Sequence, residues 1–299
     1  MEMKAEVPRL GFVGLGAMGE PMAMNLLNAF GALCVWNRSR ERCVPLAEAG
    51  AKVAASLDEL FEHSELVFLM LTDEAALDEV LGRGGERFGW RVASRILVNM
   101  ATVSPAYSRQ LEADIGAHGG AYVEAPVSGS RAPAQKGQLV CMLAGADAAV
   151  GQVAPLLRPL CRDALACGPV PSALVMKFAV NVFLIATVTG LAEAANFAQG
   201  HGLDLGRWAQ IVNASQMASD ISRIKVDKLL RDDFSPQAAI SNVLETTRLI
   251  AAAAEAQGIH APLIASSLQL YRHAQSMGLG SEDMIGVVQA FQRIAADSV

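Results

Sequence analysis

Arg9-Leu10-Gly11-Phe12-Val13-Gly14-Leu15-Gly16-Ala17-Met18-Gly19-Glu20 is the stretch that decides the fold. A short apolar run leads into Gly-x-Gly-x-x-Gly, and an amphipathic stretch follows. In a strand–turn–helix unit the first glycine permits the tight turn. The second lets the backbone approach a pyrophosphate, and the third lets the helix pack on the strand, its N-terminus facing the phosphate charge. A glycine-rich turn with only a packing role is the plainer alternative. The strand before the motif, the helix after it and a second strand at 32–36 supply the context a dinucleotide site demands. Gly14, Leu15, Gly16, Ala17, Met18 and Gly19 are therefore the first candidate cofactor residues.

Such a site places an acid at the end of its second strand when it holds NAD, to bind the ribose hydroxyls. Here the strand ends Val35-Trp36-Asn37-Arg38-Ser39-Arg40. Asn37 stands where the acid would be, and Arg38 offers a planar cation for an adenine face and a 2′-phosphate. Asn37, Arg38 and Ser39 join the candidate cofactor residues, and the expected cofactor is NADP(H). Solvated helix-start arginines are the bland reading of Arg38 and Arg40, and the missing acid speaks against it.

Working outward, Arg9–Gly14, Ala32–Trp36, Leu66–Met70, Ile96–Asn99, Ala121–Glu124 and Leu139–Ala144 read as strands, with helical pieces between the earlier ones. This alternation implies a parallel sheet with right-handed crossovers. Ser56 with Glu59 has capping-box spacing, and Ser104-Pro105 reads as a cap followed by proline at the first helical position. After Gly168 strand signals give way to alanine-rich helical periodicity, broken at 200–202, near 232–236, at 258–262 and at 278–280. The expected architecture is α/β: an N-terminal Rossmann-type doubly wound parallel sheet (residues 1–167), plus a C-terminal all-α domain (196–299), joined by a long interdomain helix (168–195) that starts near Pro171.

Composition narrows the function classes. The 299 residues are 52% hydrophobic and 18% charged, with a formal net charge of −6, so the chain has no field for nucleic acid or anionic lipid. Cys34, Cys43, Cys141, Cys161 and Cys167 form no Cys-x-x-Cys, and an odd count argues against a disulfide framework or zinc site. No metal is expected. The opening MEMKAEVPRL has no apolar run of signal-peptide length. The stretch Phe178–Ala192 carries Asn181, Thr187, Thr189 and Gly190 and reads as too short and polar to span a bilayer, which takes about 20 apolar residues. A cytoplasmic protein outside the membrane is expected.

One lysine stands apart. Lys177 lies in Ala173-Leu174-Val175-Met176-Lys177-Phe178-Ala179-Val180, and its neighbours three and four places away are Ala173, Leu174, Val180 and Asn181. Asn181 is one helical turn on, so the two polar side chains share a face. Burial would lower the amine pKa toward a range where it exchanges a proton near neutrality. A lysine snorkelling along its stem gives an equal account of the pattern.

Several spaced segments together resemble the β-hydroxyacid dehydrogenase family, which includes 3-hydroxyisobutyrate dehydrogenases, tartronate semialdehyde reductases and glyoxylate/succinic semialdehyde reductases. GFVGLGAMGEPMAMNL resembles its cofactor signature, and Asn99-Met100-Ala101-Thr102-Val103-Ser104-Pro105 its DMSTVSP segment. Glu124-Ala125-Pro126-Val127-Ser128-Gly129-Ser130 resembles its substrate-binding DAPVSGS, and Lys177 with Asn181 its catalytic K-x-x-x-N. The resemblance implies that Lys177 exchanges the proton of a small carbonyl or hydroxy-acid substrate and that Asn181 orients it. It also implies that Thr102, Ser128, Gly129 and Ser130 hold substrate, Thr102 meeting the nicotinamide as well, while Met70, Leu71 and Thr72 line the cofactor. A homodimer or homotetramer is expected. Two departures stand out: Glu245-Thr246 replaces the family's lysine–aspartate pair, and Asn99 and Ala101 replace its aspartate and serine.

Two competing readings follow. An imine reductase shares this architecture but typically lacks the lysine. A non-catalytic NADP-binding interaction module, such as the dehydrogenase-like domain of some nuclear factors, also loses it.

Overall fold

A computed structural model describes residues 7–291. The leader reading over residues 1–6 and the last eight residues of the expected C-terminal domain lie outside them. By internal contacts the chain divides into residues 1–177 and 178–299, so the division falls immediately after Lys177.

In the first unit β1 (Leu10–Val13), α1 (Gly19–Phe30), β2 (Cys34–Trp36), α2 (Val44–Glu48), β3 (Lys52–Val53), α3 (Leu57–His63) and β4 (Leu66–Leu69) form the first half of the winding. Next come α4 (Glu74–Leu81), α5 (Arg87–Val92), β5 (Ile96–Asn99), α6 (Pro105–Ala117) and β6 (Ala121–Glu124). The unit ends with β7 (Val127–Ser128), α7 (Arg131–Gln135), β8 (Leu139–Gly145), α8 (Asp147–Val153), β9 (Cys161–Gly168) and the start of α9 (Ser172–Gly200).

The strand order is β3-β2-β1-β4-β5-β6-β8-β7, with β9 on β8. β3 through β6 are all parallel, as the alternation predicts, and the order reverses between β1 and β4. Beyond them the sheet is mixed: β8 runs antiparallel to β6 and β7, and parallel to β9. The strict parallel expectation is corrected there, and β3, β7 and β9 are additional strands. β3 and β7 have two residues each, too short for an alternating pattern, and β9 is an exposed edge whose Arg162 and Asp163 mask it.

Period-two alternation buries the sheet on both faces. Leu10 and Phe12 of β1, with Leu66 and Phe68 of β4, pack against Met22 and Leu26 of α1. Val13, Val67 and Leu69 face the other way, toward Leu60, Leu77 and Leu111. Each such side chain contributes about 1.5–3 kcal/mol when fully buried. Ser56 accepts from the Glu59 N–H at 3.1 Å and Ser104 from the Tyr107 N–H at 3.2 Å, so both expected caps form. The Glu59 carboxylate reaches Ala55 N rather than closing a box on Ser56.

In the second unit the rest of α9 is followed by α10 (Leu205–Ala214), α11 (Asp220–Leu230), α12 (Ile240–Ala256) and α13 (Pro262–Ser276). The break between α10 and α11 has neither glycine nor proline. It is set by Ser219, which accepts from Ser222 N while the Ser222 hydroxyl takes the Ser219 N–H. α9 has 29 residues and a mean hydropathy of 1.9 over its most apolar window, so by length and composition alone it could cross a membrane, which corrects the reading of that stretch as too short. Phe178, Ile185, Val188, Ala192 and Ala195 of α9 join a core with Ile240, Val243, Ile264 and Tyr271. Inside the unit Lys225 donates to Asp283 at 2.7 Å, with both side chains at or below 1% exposure.

Candidate active site

The last residues of four parallel strands, Val13, Leu69, Asn99 and Glu124, lie side by side in register. The segments after them therefore emerge along one carboxyl edge, next to the reversal between β1 and β4. In an open α/β sheet that crevice is where a ligand binds. It collects the glycine turn, Met70–Leu71, the Thr102 turn and the Ser128–Ser130 loop.

Gly14 has φ +98°, and a Cβ there would collide with the Met70 carbonyl. A Cβ on Gly19 would collide with the Gly14 carbonyl, so α1 starts directly on the turn. At Gly16 a Cβ would meet nothing within 4 Å, which leaves the turn's outer side open. Among the described residues no hydrogen bond engages the N–H groups of Gly16, Ala17 or Met18. An open turn with free donors at the start of a helix fits a pyrophosphate.

Asn37 accepts from Leu15 N at 2.8 Å and donates to Ser39 O at 2.9 Å. The residue that replaces the acid thus fastens the glycine turn to the end of β2. The two arginines part company. Arg40 donates to the Ala54 and Ala55 carbonyls at 2.6 and 2.8 Å, a structural role. Arg38 is exposed and makes no hydrogen bond or ion pair among the described residues. Leu71 is half-buried, and its Cδ2 lies 3.1 Å from where a Gly14 Cβ would sit. The Thr72 hydroxyl is turned to Asp73 at 2.9 Å.

Beyond β6, β7 pairs Val127 with Cys141 and Ser128 with Val140, which pins the loop. Gly129 takes φ +134°. Ser130 occupies the position before α7 but makes no capping bond, so it is not an ordinary helix cap. Among the described residues the hydroxyls of Thr102, Ser128 and Ser130 and the amide of Asn181 make no hydrogen bond, and all four residues are half-buried. Arg131, which sequence reasoning missed, donates to Ala17 O at 2.8 Å and pairs with Glu20 at 3.1 Å, tying α7 to the glycine turn.

Lys177 does not snorkel into water. Its Nζ donates to Val127 O at 3.1 Å, immediately before the serine loop. Burial lowers its pKa to about 8, and nearby Cys141 offsets part of that effect. Glu245, by contrast, is an exposed residue paired with Arg248 at 3.4 Å, an arrangement worth little energetically.

Residues 9–168 match the profile described as the NAD binding domain of 6-phosphogluconate dehydrogenase. Residues 172–291 match that described as NAD-binding of NADP-dependent 3-hydroxyisobutyrate dehydrogenase. Glyoxylate/succinic semialdehyde reductase 2, chloroplastic, of Arabidopsis thaliana is 32% identical over 284 residues, 95% of this chain and 79% of that protein. The chain belongs to the β-hydroxyacid dehydrogenase family. It is an NAD(P)-dependent oxidoreductase of that family. Among solved structures, 3-hydroxyisobutyrate dehydrogenase from Salmonella typhimurium is similar, with a TM-score of 0.83 and 25% identity over 94% of this chain and 98% of that one. An imine reductase from Pseudomonas sp. shares the fold, with a TM-score of 0.63 and 23% identity over 96% of this chain and 100% of that one. Cytokine-like nuclear factor N-PAC of Homo sapiens is 28% identical over 95% of this chain, which spans 51% of that protein. For this β-hydroxyacid dehydrogenase the sequence motifs Gly14–Gly19, 99–105 and 124–130 all reach one edge of one sheet, and Lys177 stands beside the third.

Proposed function

We propose that the protein is an NADPH-dependent reductase of small carbonyl compounds bearing a carboxylate, such as glyoxylate or a semialdehyde, and that it runs the reverse oxidation of the hydroxy acid. The observation that carries this reading is the Lys177 amine, withdrawn from water against Val127 O at the head of a loop with two free serine hydroxyls. Reduced nicotinamide supplies the hydride. Lys177 gives its proton to the carbonyl oxygen, and its charge stabilises the oxygen as negative charge develops there. Ser128, Gly129 and Ser130 hold the carboxylate, Thr102 and Asn181 orient the reacting carbon, and Arg38 binds the 2′-phosphate. The similarity to a glyoxylate/succinic semialdehyde reductase supports this substrate class.

Imine reduction and a non-catalytic module are the rival readings, and Lys177 speaks against both. NADPH consumption with glyoxylate, succinic semialdehyde and a cyclic imine separates them. The proposal expects turnover of at least one carboxylate-bearing aldehyde, and turnover of the imine alone would refute it. Arg38→Asp is expected to raise the KM for NADPH by about 10- to 100-fold, the size of a lost charge-assisted contact. It should also narrow the preference over NADH, and an unchanged preference removes Arg38 from the phosphate site.

Exposed Phe183, Phe197, Ile211 and Met217 in the second unit support association into a homodimer or homotetramer. Light scattering reads its mass directly.

A further inference from the structure

Glu124 ends β6 fully buried, and three groups donate hydrogen bonds to its carboxylate. Oε1 accepts from the Ser108 hydroxyl at 2.5 Å. Oε2 accepts from Ala173 N at 3.1 Å and Leu174 N at 3.2 Å, two N–H groups in the first turn of α9. Lys177 lies one turn further along that helix. Its amine is held by Val127 O, three residues beyond Glu124. One short segment, 124–127, therefore grips α9 twice, once by a carboxylate at its start and once by a carbonyl at the lysine.

The hydrogen bonds behind Glu124 have a single direction. Asn99 Nδ2 donates to the Tyr122 hydroxyl at 2.9 Å. Because the Ser108 proton goes to Glu124, the 2.8 Å contact between Tyr122 and Ser108 has Tyr122 as donor. The chain Asn99, Tyr122, Ser108, Glu124 thus aims every proton at the carboxylate. Asn99 Oδ1 also accepts Ala101 N at 3.0 Å, which fixes the turn that carries Thr102. An aspartate at position 99 could not donate to Tyr122, so the asparagine departure noted in the sequence completes this chain.

We infer that Glu124 is the positioning residue for Lys177: its carboxylate anchors the first turn of α9 and so keeps the amine against Val127 O beside the serine loop. This inference rests on the proposed role of Lys177. A purely local cap would stabilise the helix without setting the lysine's environment. Burial pushes the Glu124 pKa up to about 7, against the three donors, with Glu112 raising it further; Tyr122 and Cys167 are the other titratable groups that face it. The grip is accordingly fully charged only above neutrality.

Glutamine at 124 satisfies this site poorly: with its amide nitrogen on Oε2's side both helix N–H groups lose their acceptor, and with it on Ser108 the hydroxyl must reverse and leave the Tyr122 proton without its acceptor, while the carboxylate charge is lost in either case. The test uses the full chain with reductively 13C-methylated lysines, the Lys177 resonance being assigned from Lys177→Arg. The amine is titrated by NMR in wild type, Glu124→Gln and Ser108→Ala, and kcat and KM for NADPH are measured with glyoxylate. In wild type the amine should titrate near 8. In Glu124→Gln it should move up by about one unit toward an ordinary lysine. The kcat should fall by about 10- to 100-fold, the scale of one charge-assisted hydrogen bond, with the KM for NADPH within about twofold. Ser108→Ala removes one donor, keeps both helix contacts, and should shift both readouts in the same direction by less. Should Glu124→Gln not fold, Ser108→Ala carries the test. An amine that titrates at the wild-type value in every folded variant, or a kcat unchanged in them, overturns the inference. The amine titration needs no turnover. A shifted amine in a protein that reduces no carbonyl would reject the proposed function and leave the positioning role standing.

Discussion

Lys177→Ala is expected to lower the turnover of the proposed carboxylate-bearing aldehyde by about 10²- to 10⁴-fold, the range for loss of a positioned general acid. The NADPH dissociation constant stays within about twofold, because no contact of the glycine turn involves Lys177. The pH dependence follows from a folded-state pKa of about 8, held there by burial. Reduction needs the protonated amine, so its rate falls as pH rises through about 8. Oxidation needs the neutral amine, so its rate rises through the same point. In the alanine variant this limb disappears from both profiles. Steady-state kinetics from pH 6 to 10 in both directions, with fluorescence titration of NADPH, read all three outcomes. An alanine variant that keeps the wild-type rate and pH profile would remove the lysine from the chemistry.

Asp283→Ala is expected to have the largest effect on stability, and it acts wholly within the second unit. Asp283 accepts from Lys225 Nζ at 2.7 Å and Ile285 N at 3.2 Å on one oxygen, and from Gln237 N at 2.9 Å and Ala238 N at 3.4 Å on the other. Burial lowers the Lys225 pKa and Asp283 works against that shift. Alanine strands a buried cation and three backbone donors, a loss of about 3–5 kcal/mol. In a protein of this size that corresponds to a fall in Tm of about 10 °C. The double variant Asp283→Ala/Lys225→Met should lose less, since the unpaired charge is gone. Calorimetry on the three proteins decides it, and a double variant as unstable as Asp283→Ala would mean that the backbone donors, not the charge, dominate.

The pair also marks where sequence reading stops. Residues 225 and 283 are 58 positions apart, and no local pattern links them. Glu124 is the same case: it can be read as part of a motif, but its partners at Ala173 and Leu174 lie 49 and 50 residues downstream. What can be read locally is the chemistry of short range. The glycine spacing sets the turn, Ser104-Pro105 sets a helix start, and Lys177 stands out among apolar neighbours, though only its contact with Val127 O decides between burial and snorkelling. The reading loses β9 because an exposed edge strand with Arg162 and Asp163 carries no alternation to find. It misses the α10–α11 break because a serine capping box, rather than glycine or proline, makes it. Arg38 and Arg40 look alike in sequence, and only the Ala54 and Ala55 carbonyls tell them apart.

In the proposed reaction the carboxyl edge of the sheet brings a dinucleotide on the Gly14–Gly19 turn and a substrate oxygen to the Lys177 amine. A crystal structure with NADP+ and a non-reacting carboxylate such as oxalate or tartronate would show whether they meet there. The pyrophosphate is expected over Gly16, the carboxylate on Ser128–Ser130, and a ligand oxygen within about 3 Å of Lys177 Nζ, the reach of a proton transfer. A dinucleotide bound away from the glycine turn, or an amine turned into solvent with the ligand in place, would contradict it.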